Sequence, residues 1–137
     1  VATTVAQTVR ARRYAACLRG PARTAYERWL DDLERRGCAA LDYRLAGPEP
    51  LPRFCVRHLR AADRAVVMFE SRRLAVVLIL GRHTGGRGID VYEQVYGLAG
   101  VRPDLGDVRC KDPCREPDGT APIAGAGVME ALLRRGR

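Results

Sequence analysis

The chain predicts an α+β domain: a small antiparallel β-meander packed on N-terminal helices, followed by a C-terminal helix and an irregular C-terminal extension. Three observations carry this. Leu74-Ala75-Val76-Val77-Leu78-Ile79-Leu80 is an apolar run with charge before it and Gly81 after it. Its length and β-branched content fit a central strand covered on both faces better than a helix. Two further strand-like runs are separated from each other and from it only by Ala61-Ala62-Asp63 and Ser71-Arg72-Arg73, and such short turns make neighbouring strands antiparallel. Finally, Ala22, Tyr26, Trp29, Leu30 and Leu33 recur at three- and four-residue steps, the stripe of an amphipathic helix. A length of 137 residues, 47% of them hydrophobic and 29% charged, suits one domain with a real core and a solvated surface.

In chain order, residues 1–11 carry no strong pattern and read as a frayed end or a short helix. Residues 13–18 read as a short first strand, stopped by Gly20-Pro21. A helix then runs from Pro21 to just before Gly37, with Asp31, Asp32, Glu34, Arg35 and Arg36 on its solvated side. Pro48, Pro50 and Pro52 mark an extended connection, because each disfavours helix in the residue before it. Residues 54–59, 64–70 and 74–80 are the three meander strands. Asp90 caps a helix to about Leu98, with Val91, Val95 and Leu98 on one face and Tyr92 and Tyr96 four apart. The prolines of residues 101–122 predict irregular structure, and a last helix is expected over residues 124–135. The main domain is thus residues 1–100 and the extension residues 101–137.

The net charge of +8 points to a polyanionic partner. Lys111 is the only lysine. GC-rich coding explains arginine in place of lysine, but not 24 basic against 16 acidic residues. Guanidinium keeps its proton, so a base in any site must be another group. The apolar run of seven falls far short of the roughly 20 residues of a membrane span. The start Val1-Ala2-Thr3-Thr4-Val5 lacks the pattern of a signal peptide. The cytoplasm is the expected compartment, and five cysteines without framework spacing are expected to be reduced thiols. Cys110 and Cys114 form a single CxxxC pair, where zinc needs four ligands. Only Cys38 or Cys55 could complete such a set, so neither a metal nor another cofactor is expected. Residues 81–88 are glycine-rich but lack the lysine-serine pair of a phosphate loop; they read as a flexible loop carrying Arg82 and Arg87.

Residues two apart on a strand share a face. Arg53, Cys55, Arg57 and Leu59 therefore lie on one side, and Phe54, Val56 and His58 on the other. The apolar second side is expected to be the core, which turns Arg57 outward and makes His58 a structural histidine. Arg64 opens the next strand within reach of Arg57, and His83 follows the end of the third. Arg57, Arg64 and His83 together suit a phosphodiester, gripped by paired N–H donors and served by a titratable acid. The plainer alternative makes the arginines solvent-facing cross-strand charges and His83 a hydrogen-bonded strand end. Tyr92 and Tyr96 pack their helix, or stack on a base if their face is open.

The order Leu45-Ala46-Gly47-Pro48, Phe54-Cys55-Val56-Arg57, Asp63-Arg64-Ala65-Val66-Val67, Leu80-Gly81-Arg82-His83 and Asp90-Val91-Tyr92 resembles the RelE/ParE superfamily of bacterial toxins from toxin–antitoxin systems, over roughly residues 12–99. The resemblance implies a small antiparallel sheet packed on helices, with a basic concave face. RelE-type members are ribosome-dependent endoribonucleases that inhibit translation by mRNA cleavage in the decoding site, through attack of a 2′-hydroxyl on the adjacent phosphate. The resemblance then implies His83, Arg64, Arg57 and Tyr92 as catalytic residues, with Arg53, Arg60, Arg82 and Arg87 as RNA-binding residues. Its implied partners are ribosome-bound mRNA and a cognate antitoxin protein, with no membrane and no small-molecule cofactor. The family's paired lysines are missing and Cys55 stands two before Arg57, so Arg53 or Arg60 would have to substitute. Glu70, Asp63 and His83 are the candidates for general base. Two other outcomes are open on the same fold: a ParE-like inhibitor of gyrase, or a degenerate member that only binds RNA or a protein.

Overall fold

The computed structural model describes residues 2–84, 90–104 and 111–135. Its elements are β1 (Thr4–Gln7), α1 (Val9–Ala16), α2 (Gly20–Arg36), β2 (Tyr43–Arg44), β3 (Phe54–His58), β4 (Asp63–Ser71), β5 (Leu74–Arg82), α3 (Val91–Ala99) and α4 (Ala126–Arg135). The fold is α+β, with one mixed sheet in the order β1-β5-β4-β3-β2. β3, β4 and β5 form the expected antiparallel meander, with Arg57 opposite Ala65, His58 opposite Arg64, and Arg64 opposite Gly81.

The N-terminus departs from the expectation. Residues 4–7 are a strand, parallel to β5 and in register from Thr4–Leu74 to Gln7–Val77. Residues 13–16 belong to a helix instead of a first strand. Thr8 decides the boundary: its hydroxyl accepts from the Ala11 N–H at 3.1 Å and donates to the Leu78 carbonyl at 2.7 Å. It thereby caps α1 and fastens it to β5. Four residues of weak pattern become a strand because β5 offers them a ready ladder.

Both sheet faces are covered. On one face Cys55, Ala65, Val67, Phe69, Ala75 and Val77 pack against Ala11 of α1 and Tyr26, Trp29 and Leu33 of α2. On the other, Phe54, Val56, Val66, Met68, Val76 and Leu78 meet Val91, Val95 and Ala99 of α3 and Leu132 of α4. β5 is buried from Ala75 through Gly81, as expected of a covered central strand. It also runs two residues beyond the expected end, so Arg82 is its last residue.

The expectation of reduced cysteines is corrected by a disulfide between Cys55 of β3 and Cys114, with Cα atoms 5.7 Å apart and a sequence separation of 59. Folding, not spacing, brings the two together. Disulfides persist under oxidising conditions, so the cysteines no longer speak for the cytoplasm. Cys17 and Cys38 are free, and Cys110 lies outside the described residues. The chain after residue 111 is tied to the rest of the fold at further points. The Ala124 N–H donates to the Phe69 carbonyl at 2.9 Å, and Arg135 donates to the Leu98 and Ala99 carbonyls at the end of α3. Among the described residues, no helix is long and apolar enough to cross a membrane.

Candidate functional site

The helices covering the second face stop short of one end of the sheet. There, where β3 ends, β4 begins and β5 leads toward α3, a cavity of about 640 Å³ is lined by Tyr43, His58, Arg64, His83, Asp90, Tyr92 and Lys111 among others. Its architecture follows from alternation. His58 and Arg64 are cross-strand partners, and residues one step earlier or later point to the opposite face.

Gly81, opposite Arg64, lets α3 come close, since a Cβ there would lie 3.3 Å from the Val91 side chain. That approach sets the N-cap of α3 beside the residue following β5. One Asp90 oxygen accepts from the Thr84 N–H at 2.7 Å and lies 2.7 Å from His83 Nδ1; the other accepts from the Tyr92 N–H at 2.9 Å. Burial would raise the Asp90 pKa, but the Thr84 N–H, His83 and the Tyr92 N–H together hold the carboxyl below its ordinary value. An ionised Asp90 can only accept, so the proton of this hydrogen bond stays on His83 Nδ1. The His83 ring meets Tyr92 edge to face, with centroids 4.9 Å apart.

Tyr43 joins the two histidine-bearing sides. Its hydroxyl lies 2.7 Å from the Tyr92 hydroxyl and 3.2 Å from His58 Nε2. Burial, then hydrogen bonding to Tyr92, raises the Tyr43 pKa, so the phenol stays protonated. His58 is shifted the other way. Partial desolvation first, then the positive charge of Arg64, outweighs the attraction of Asp42 and lowers its pKa, which favours the neutral imidazole. Arg64 donates to the Ala61 and Asp63 carbonyls, both at 3.0 Å, while its buried Nε has no partner among the described residues. Lys111 lies 5.2 Å from the centre of the Tyr43 ring, a cation–π contact.

His83, Arg64 and Tyr92 are therefore brought together, and Arg57 is not. Register sends Arg57 to the α2 face, where its guanidinium meets Asp42 at 3.2 Å. Arg82 lies across from Asp63 on the same far side, and its charge acts on Tyr14 of α1. Arg53 pairs with Glu49 and Glu116, both at 3.1 Å. Arg60 is exposed in the β3–β4 turn. Arg87 lies outside the described residues. As general bases, Asp63 is engaged by the Tyr14 hydroxyl at 3.1 Å, and Glu70 borders a different cavity at the opposite end of β4. Arg53 and Arg60 do not line the cavity; Lys111 does.

His58, read from the sequence as structural, is an exposed wall of the cavity. Phe54 and Val56 share its face and are buried, but cover ends before the last residue of β3. Tyr43 and Lys111 carried no local signal, since both act through contacts across the fold. Asp90 was legible as a cap, and its second role was not. Among the described residues no group of His, Cys, Asp and Glu side chains suits a metal ion. No protein-family model matches the chain, and no curated protein is significantly similar to it.

Proposed function

We propose that the cavity binds and cleaves an RNA phosphodiester, and that the chain acts as a RelE-like, ribosome-dependent mRNA endoribonuclease neutralised by an antitoxin. The observation that carries this reading is the convergence of two imidazoles in unlike surroundings, His58 and His83, beside Arg64 and Lys111 at one sheet end. Two-step proton transfer around a phosphate needs such a pair.

His58, favoured as neutral imidazole, removes the proton from the ribose 2′-hydroxyl. The 2′-oxygen forms its bond to phosphorus while the bond from phosphorus to the 5′-oxygen breaks. His83, steered by Asp90, supplies the proton that the leaving 5′-oxygen takes. Arg64 and Lys111, which line the cavity, hold the charge that builds on the non-bridging oxygens, where fixed cations contribute most. Tyr92 and Tyr43 orient the histidines through ring contact and hydroxyls.

The test is induction in bacteria with primer extension on mRNA. Codon-phased cuts that vanish in Arg64→Ala and His83→Ala, with folding intact, support the reading. Growth arrest with DNA damage and uncut mRNA transfers the protein to the ParE-like gyrase inhibitors. Unchanged cutting in both variants overturns the site.

A further inference from the structure

Lys111 belongs to a segment that wraps the open edge of the sheet. Residue by residue it crosses from one face to the other. Lys111 lies over the Tyr43 ring on the cavity side. The Asp112 carbonyl accepts from the Arg44 N–H at 2.8 Å, on the edge of β2 that faces away from β3. Cys114 then closes the disulfide with Cys55 on the far face, where Cys55 is the register partner of Arg44. Further ties are Arg44 to Glu116 at 3.2 Å and to the Arg115 carbonyl at 3.4 Å, and Arg53 to Glu116 at 3.1 Å. Partly exposed ion pairs of this kind hold weakly, which leaves the disulfide as the one covalent anchor.

We infer that residues 111–116 form a disulfide-anchored strap that delivers Lys111 to the cavity as a phosphate-gripping cation, and that reducing Cys55–Cys114 withdraws it. The inference rests on the phosphodiester reading of the cavity and adds a cation and its redox control. A dithiol reductant carries out the switch: the Cys55–Cys114 bond breaks, each sulfur gains a proton and an electron, and the reductant closes into its own disulfide. Loss of the anchor lets the strap leave the β2 edge, and the ammonium leaves with it.

The experiment measures binding of a 2′-O-methylated single-stranded RNA, which cannot be cleaved, by fluorescence anisotropy. The oxidised protein is expected to bind it, and dithiothreitol to weaken binding about five-fold. Lys111→Ala should lose the same amount without reduction, with the salt dependence of log K shallower by about 0.7 for the one lost phosphate contact. Lys111→Arg should restore binding. Reduction should cost Lys111→Ala little more. Equal loss on reduction in wild type and Lys111→Ala overturns the inference, because the disulfide would then act on the fold and not through Lys111. No binding by the oxidised protein, or no effect of Lys111→Ala, also overturns it. Cleavage of ribosome-bound mRNA is assayed in parallel: redox-controlled binding without cleavage sinks only the nuclease reading. Cleavage indifferent to reduction and to Lys111 sinks only the strap.

Discussion

At the scale of single residues, the two histidines differ in their partners. His58 has partial desolvation and Arg64 against its charge and Asp42 in favour of it, while His83 is held on the Asp90 carboxylate. Followed by NMR, the His58 ring should titrate below its ordinary value of 6.5. Lys111→Ala should move that midpoint upward, since Lys111 is one of the charges lowering it; a midpoint at or above 6.5 in the wild type contradicts the account. The linkage has a definite sign. The folded state binds fewer protons than the unfolded state at His58, so acidification below about 6.5 disfavours folding. Asp90 acts lower: its contribution is present above the unfolded carboxyl pKa and is lost as pH falls through the lowered folded value. Tyr43→Phe removes only the hydroxyl between Tyr92 and His58, and should slow cleavage on the order of ten-fold while leaving the fold intact. His83, Arg64 and Tyr92 were legible because each stands next to a strand end or helix cap with its own local signature. Tyr43, His58 and Lys111 were not, because their roles come from contacts made across the sheet.

At the scale of elements, α3 is the piece whose loss would be felt twice. Its N-cap carboxylate satisfies the Tyr92 N–H and also steers His83. Asp90→Ala should cost about 1 kcal/mol of stability as a lost cap, read by denaturant unfolding. It should also lower cleavage by more than that destabilisation explains. Asp90→Asn keeps an acceptor for the cap but not the charge, so it should recover stability without recovering activity. Equal recovery of both contradicts the dual role. The meander and α3 were readable since apolar alternation, turns and an Asp cap are local. β1 was not: Thr4–Gln7 is short and mixed, and it is a strand only by pairing with residues about seventy positions away. The misread face of Arg57 has a related cause. An apolar face on β3 does not leave the other face open, because α1 and α2 cover the second as well.

At the scale of the whole molecule, the disulfide spans 59 residues and joins the meander to the segment beyond α3. On the chain-entropy account such a loop contributes about 4 kcal/mol. Reduction should therefore lower the Tm by on the order of 10 °C, measured by calorimetry with and without dithiothreitol. An unchanged Tm would contradict the cross-link in solution. The basic excess is also a property of the whole. Two arginines expected at the site instead form ion pairs elsewhere, Arg57 with Asp42 and Arg53 with Glu49 and Glu116. The net charge still favours a polyanion, and on the proposed reading it is Arg64, Lys111 and the histidines that hold the phosphate. The most direct measurement is in vitro cleavage of a ribosome-bound mRNA by the purified oxidised protein, with the product ends identified. The account predicts cuts in the decoding site leaving 2′,3′-cyclic phosphates, abolished by His83→Ala and by Arg64→Ala. Intact mRNA with the wild-type protein, or the same cuts with both variants, would contradict it.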